Sequence, residues 1–366
     1  MKNTFNLFKF QDEIGEPPWD YYFLQNLPES EYPKYLKKIY KYRTGENLNL
    51  KHPKTFNEKI QWIKLYGVTQ LMRDCTDKVK VRDYVKEKIG EEYLKSVLQI
   101  IPNESHETMN CHCEQVNDNS GLARQSTDES QDILDCRADI KMSLSARLRF
   151  PKFQFRENRV LAEYNDKELD DVSTYFDKIN FDKLPKAFVI KTNHGCKWQY
   201  IIKNKNEFLQ NKRLFEVVKQ NITGWLEQDY SFWNGFEMQY KGIISKILIE
   251  QLMIGEEMQV YCVKGQPKYL IRIFNNNTIA IFDENLNITN DIFGFKEQKI
   301  NTKANELIKQ TFVLSTQLAK NFNFVRVDWI TYQNKLYFEE LTFTPYSGFN
   351  CFKNNLNVNE LLNIER

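Results

Sequence analysis

The hydrophobic period of this chain changes partway along it, and that change limits the folds open to it. Up to about residue 100, apolar side chains recur mostly at helical spacing. Pro33 suits the first turn of a helix, where its missing donor would be unpaired anyway. Residues 55–66 read as a second helix, with Thr55 and Glu58 at capping-box spacing and Phe56, Ile60, Ile63 and Leu65 as the apolar stripe. A third helix is expected over 77–89, carried by Val81, Tyr84, Val85 and Ile89. From Leu184 the texture becomes β-like. Short apolar runs at 187–191 and 199–202 flank a polar loop containing Gly195, which predicts a hairpin. Further strands are expected within 243–253, 259–263 and 269–274, and helices over 207–226 and 304–322. Two last strands, 324–331 and 335–343, meet at a tight polar turn. Helices first and mostly antiparallel strands later make this an α+β protein.

Four regions follow: a helical N-terminal region (1–100), a polar insertion (101–164) and two α+β units (165–250 and 251–366). Within the insertion, 102–141 is poor in large apolar residues and cannot bury much surface, so it reads as mobile. It carries His106, Cys111, His112, Cys113 and Cys136, enough nitrogen and sulfur ligands for zinc by number. The tight Cys-His-Cys spacing favours a solvated linker instead.

Composition excludes more than it selects. Fifty-one Lys and Arg against 49 Asp and Glu leave a net charge of +2, unlike the concentrated positive charge of a nucleic-acid binder. No run approaches the ~18 apolar residues that cross a bilayer, and residues 1–14 lack the apolar core of a secretory signal. Seven dispersed cysteines form no disulfide framework and point to reduced thiols in a cytoplasm.

Four constellations could carry chemistry. Alternation puts Arg326 and Asp328 on one face of their strand, and Glu340 and Thr342 on one face of the next. Facing carboxylates of this kind suit a hard cation such as Mg²⁺, which also takes oxygens from a triphosphate; the same residues also fit an Arg–carboxylate structural cluster. Lys191 ends an apolar strand before the loop Asn193-His194-Gly195-Cys196-Lys197, an arrangement in which ammonium and loop amides can meet a phosphate. An ordinary hairpin would read alike. Residues 247–252 form a buried strand running out through Glu250, Gln251 and Leu252, whose backbone could meet an adenine edge, with Glu257 beyond for ribose hydroxyls. Asp77-Lys78 opens a charged amphipathic stretch.

Together these segments resemble the TupA-like branch of the ATP-grasp superfamily, amidoligases linked to teichuronopeptide and capsular polysaccharide synthesis. The matching stretches include PKTFNEKIQW (53–62), 77–84, GEEYL (90–94), FDKLP (181–185), 188–195, 261–268 and 325–348, the last containing ELTFTP. The resemblance spans about 35–352, interrupted by the polar insertion. It implies an ATP-grasp fold whose lid subdomain is 165–250 and whose metal-bearing C-terminal subdomain is 251–366. By the same resemblance Lys78 and Lys191 contact phosphate, Asn193 to Lys197 form the flexible lid, Glu250 to Leu252 the adenine hinge, and Glu257 the ribose site. Asp328, Glu340 and Thr342 would hold magnesium, and Arg326 would face the transferred phosphoryl group. The implied activity is ATP-dependent amide formation between a carboxylate and an amine through an acyl phosphate, in reach of polysaccharide assembly machinery. Three departures from the family pattern stand out, the polar insertion among them. Cys196-Lys197 replaces a second glycine in the loop, and Gln259 sits where a lysine is usual. A non-catalytic nucleotide-binding protein and a glycosyltransferase-like enzyme remain the alternatives.

Overall fold

The structure is a computed structural model and describes residues 21–103, 175–276, 278–289, 300 and 302–349. The polar insertion and its five candidate zinc ligands lie almost wholly outside the described residues.

The N-terminal region is helical for local reasons. After the short α1 (Tyr21–Gln25), α2 (Tyr32–Thr44) carries Pro33 in its first turn and ends at Gly45, whose φ of 77° places it in the left-handed region that glycine adopts freely. Helix α3 (Phe56–Trp62) starts with a complete capping box between Thr55 and Glu58. It runs into a π-helical turn (Ile63–Gly67), so the stripe expected to continue to residue 66 changes pitch. The helix expected over 77–89 begins only at Val81, and a separate helix precedes it. Helix α4 (Gln70–Thr76) stops at Asp77, and α5 (Val81–Ile89) begins four residues later. The break has a cause: the Asp77 carboxylate accepts from the Val79 and Lys80 amides at 2.8 and 3.4 Å, offering the backbone a turn in place of a helix.

Two antiparallel sheets follow. The first has the order β1-β4-β2-β3, with β1 (Val97–Pro102), β2 (Phe188–Thr192), β3 (Gln199–Ile202) and β4 (Lys246–Gln251). Strand β1 comes from the first hundred or so residues, which the helical reading did not anticipate. Phe188, Ile190, Ile247 and Ile249 point from one face into a core with α7 (Lys212–Leu226), which a break at Asn211 separates from α6 (Lys205–Gln210). Strand alternation therefore sends Lys191, Leu248 and Glu250 to the other face.

The second sheet has the order β7-β6-β5-β8-β9: β5 (Glu257–Val263), β6 (Gln266–Ile273), β7 (Ile279–Asp283), β8 (Phe324–Tyr332) and β9 (Lys335–Thr342). Its inner face packs on α8 (Glu306–Ala319) through Met258, Val260, Val325, Val327 and Trp329. Pairing of β9 with β8 shifts between Asp328 and Trp329, so Glu340 lies opposite Asp328 while Phe338 lies opposite Trp329. Glu339 is the extra residue of this bulge, and both glutamates leave the apolar face that Leu336, Phe338 and Leu341 occupy.

Helix α3 ties the N-terminal region to this second sheet. Phe56 is fully buried and meets Phe324 edge-on at 5.2 Å, and Gln61 Nε2 donates to the carbonyls of Ser347 and Gly348 at 2.9 and 2.8 Å. Lys64, also fully buried, donates to Gln61 and to the Asn234 carbonyl and lies over the Phe349 ring. Burial pushes its ammonium down to about 7, with Glu237 opposing. Among the described residues no helix is long and apolar enough to cross a membrane. Phe56→Ala removes a fully buried ring, and the expected loss is about 3–5 kcal/mol in urea unfolding; a loss under about 1 kcal/mol would detach α3 from the core.

Candidate functional site

The outer faces of the two sheets meet at a cluster of charges. Lys191 Nζ lies 2.5 Å from Glu250 Oε2, with both residues no more than 5% exposed. Lys95 approaches the same oxygen at 3.6 Å and grips both oxygens of Glu339 at 2.7 Å each. Arg82 Nη1 lies 3.8 Å from Glu250 Oε1, and its Nη2 donates to the Lys95 carbonyl at 2.8 Å. Burial alone would raise the Glu250 carboxyl, but Lys191 and Lys95 outweigh it and hold it below the usual carboxylate range. Burial pulls Lys191 below the ordinary lysine value despite Glu250, and the repulsion of Lys95 adds to that.

On the second sheet a polar row crosses three strands. Gln259 on β5 is opposite Asp328 on β8, which is opposite Glu340 on β9. The next row brings Tyr261, Arg326 and Thr342 together. Arg326 grips Asp328 bidentately, Nε to Oδ1 at 2.7 Å and Nη2 to Oδ2 at 2.5 Å, and stands 3.9 Å from Glu340. The Thr342 hydroxyl lies 3.1 Å from Asp328 and 3.0 Å from Glu340. Burial pushes the Asp328 carboxyl up to about 7 even against Arg326. The two short contacts in turn hold the Arg326 proton more tightly than in a free guanidinium, outweighing burial. For Glu340, burial is outweighed by the charges of Lys78 and Arg326, with Lys191 contributing, so its carboxyl sits below the usual range. Lysines of the first sheet and its approach thus act on a carboxylate of the second. Glu257, exposed at the start of β5, is still raised, first by partial desolvation and then by Glu339.

Lys78 reaches this junction through a buried amide network. Asn193 Nδ2 donates to Asp77 and to the Ile244 carbonyl at 2.9 Å each, and its Oδ1 accepts from the Lys246 amide at 2.6 Å. The Lys78 amide donates to the Asn193 carbonyl at 3.1 Å, and its ammonium donates to the Gly195 carbonyl. Asn193 and His194 were expected to meet a nucleotide, but both are buried and committed. His194 Nε2 sits between the carbonyls of Trp225 and Gln228 at 2.9 and 3.1 Å. They anchor the base of the loop. Gly195 is required by space, because a Cβ there would run into the Trp198 ring. Lys197 is exposed at a φ of 62°. In the expected adenine hinge, the Glu250 side chain belongs to the ion cluster and the Gln251 amide already donates to Ser96 at 3.0 Å. Leu252 stands just beyond the end of β4.

Sequence reasoning missed Lys95, Arg82 and Glu339. Glu339 had a local signal: the apolar positions 336, 338 and 341 break alternation by one residue, which requires a bulge at the Glu339-Glu340 doublet. Lys95 and Arg82 had none.

Magnesium suits hard oxygen donors, and the second sheet supplies them in one row. Asp328 and Glu340 are paired across strands, and the Gln259 amide oxygen is buried and accepts no hydrogen bond. Among the described residues no group of three or more His, Cys, Asp or Glu is gathered for a metal. An ion in this row would need water and phosphate oxygens as its other ligands, and would meet Asp328 with both oxygens already held by Arg326.

Because Glu250 is depressed in the fold, it stabilises above the ordinary carboxylate range, and that contribution is lost as pH falls through its native value. Urea unfolding followed from neutral into acid pH should lose stability more shallowly in Glu250→Gln than in the wild type. Parallel curves would show that Glu250 contributes nothing to acid sensitivity.

No curated protein matches the chain. Among solved structures, a D-alanine–D-alanine ligase from Bacillus anthracis, complexed with ATP, is 19% identical at a TM-score of 0.27, over 45% of this chain and 43% of that one. An N5-carboxyaminoimidazole synthetase from Staphylococcus aureus, complexed with ADP, is 16% identical at 0.27, over 47% and 38%. An L-amino acid ligase from Bacillus licheniformis is 12% identical at 0.26, over 43% and 34%. The chain spans less than half the length of each. The model of the family described as TupA-like ATPgrasp matches residues 165–363, more than half of the chain. Both α+β sheets and the rows of charge between them lie chiefly within that match, and the chain belongs to the TupA-like ATP-grasp family.

Proposed function

We propose that this chain is an ATP-dependent ligase that activates a carboxylate as an acyl phosphate and joins it to an amine. One observation carries the reading: Asp328 and Glu340 are paired across strands beside Arg326, within the stretch that matches the family. Phosphoryl transfer is mostly positioning and charge stabilisation, and this junction offers both.

Lys78 and Lys191 neutralise phosphate oxygens, and Asn193 holds the Lys78 segment and the loop base in register. The 193–197 loop covers the triphosphate, with Gly195 and the exposed Lys197 at its tip. Glu250 to Leu252 border the adenine, and Glu257 accepts from ribose. Asp328, Glu340 and Thr342 would hold magnesium, which when bound offsets phosphate charge and polarises the transferred phosphoryl group. Arg326 orients the oxygens of the carboxylate being activated. A carboxylate oxygen bonds to the γ-phosphorus as the β–γ bridging bond breaks and ADP leaves. The amine then bonds to the acyl carbon, phosphate departs with the bonding pair, and the amine gives up a proton. Region 165–250 serves as lid and 251–366 as the metal-bearing subdomain.

The finer reading rests on the family: a sugar acid or amino acid of surface polysaccharide synthesis, conjugated in the cytoplasm beside the assembly machinery. A second reading, nucleotide binding without turnover, is favoured by the commitment of both Asp328 oxygens to Arg326.

The test is ADP release against panels of sugar acids and amino acids, with mass analysis of any conjugate. Lys191→Ala and Glu340→Gln should each lower ADP release by about 100-fold or more while circular dichroism remains that of the wild type. Normal turnover in both removes the site. Nucleotide binding with no ADP release on any panel supports the second reading, and AMP with pyrophosphate would replace the acyl phosphate by an adenylate.

A further inference from the structure

Lys191 faces two claims on its charge, Glu250 in the structure and a phosphate in the nucleotide reading. At 2.5 Å its ammonium is committed to a carboxylate that is 4% exposed, and turning away would leave that carboxylate in the interior with only the longer contacts of Lys95 at 3.6 Å and Arg82 at 3.8 Å. The chain places a second ammonium beside the same oxygen. Lys95 has three donors and spends two on Glu339, at 2.7 Å each, while Glu250 Oε2 lies 3.6 Å away.

The backbone explains why Lys95 is held there. Leu94 bridges to Phe338 of the second sheet, and the Ser96 carbonyl accepts from Gln251 of the first, so Lys95 sits in the strap that crosses between the sheets. Its side chain repeats that crossing in charge, with Glu339 on one sheet and Glu250 on the other.

We propose that Lys95 is a positioning residue that takes over Glu250 as Lys191 turns to the nucleotide phosphates. The inference rests on the nucleotide reading above and assigns Lys95 no contact with the nucleotide. The strength of phosphate binding is then set by how readily Glu250 can be handed on. A ligand without phosphates does not draw on the exchange.

The test is calorimetric titration of the full chain with the β,γ-imido analogue of ATP and, separately, with adenosine. Lys95→Met should weaken the analogue by roughly tenfold or more, within the usual range of coupling between sites, and leave adenosine unchanged. Glu339→Gln should tighten the analogue, because Lys95 is then released toward Glu250. Equal analogue affinity in Lys95→Met and wild type overturns the proposal and leaves the nucleotide reading standing. Parallel losses for analogue and adenosine overturn it too, since they indicate a general structural role. If Lys95→Met does not fold, Glu339→Gln decides: tighter analogue binding supports the hand-over, and unchanged or weaker binding overturns it. A wild-type chain that binds neither ligand overturns both readings.

Discussion

A carboxylate withdrawn from water has to be met by cations, and Glu250 organises much of this structure around that constraint. Its three positive neighbours come from separate places: Lys191 from β2, Arg82 from α5, and Lys95 from the strap between the sheets. None would be near the others in an extended chain. Only when β4 pairs on one side with β1 and on the other with β2 does the cluster close. The ion cluster is thus a product of correct strand order, and it penalises wrong pairings by stranding charge. Its net positive excess near Glu250 also leaves the first sheet with cationic character where it faces the acidic row of the second.

A second buried network does for Lys78 what strand pairing does for Lys191. Asn193 uses both ends of its amide, so Asp77, Ile244 and Lys246 share one reference point. Asp77 at once breaks the helix and receives Asn193, and these two roles turn the Lys78 backbone toward the loop. The same economy recurs where α3 meets the turn after β9. Gln61 satisfies two carbonyls of that turn, and Thr344 donates to Glu237 at 2.5 Å beside the buried Lys64. The turn holds Tyr346 and Ser347 at φ of 51° and 55°, a conformation that costs L-residues energy and persists where surrounding bonds over-determine it.

These networks explain how much of the molecule was legible in the sequence. The Thr55–Glu58 capping box, Pro33 in its first turn and the two hairpins were readable because each is a local signal with one physical solution. The strings PKTFNEKIQW and ELTFTPYSG belong together because Gln61 of the first bonds the turn of the second. Strand β1 was not readable: VLQIIP is short, apolar and without strict alternation, and its state is decided by β4 alongside it. The late start of the helix expected over 77–89 was not readable because Asp77 acts through its side chain against the helical pattern around it. The loop residues Asn193 and His194 looked like ligand contacts because polar side chains near a glycine suggest a phosphate. Their burial, invisible in sequence, engages both side chains at the base of the loop. Lys95 is the hardest case, one lysine between Leu94 and Ser96 whose meaning comes wholly from two glutamates far along the chain.

The second sheet shows how like charges can be held together in one row. Asp328 and Glu340 face each other across strands and would repel, and Arg326 relieves that repulsion by taking Asp328 with two bonds while standing close to Glu340. Thr342 spans the two carboxylates with a single hydroxyl, so one of them always lacks its proton. Gln259, neutral and with its amide oxygen unpaired, extends the row without adding to the charge. A divalent ion entering such a row would compete with Arg326 for Asp328. Strand register thus makes Arg326 the counter-ion of a carboxylate row that β8 and β9 bring together.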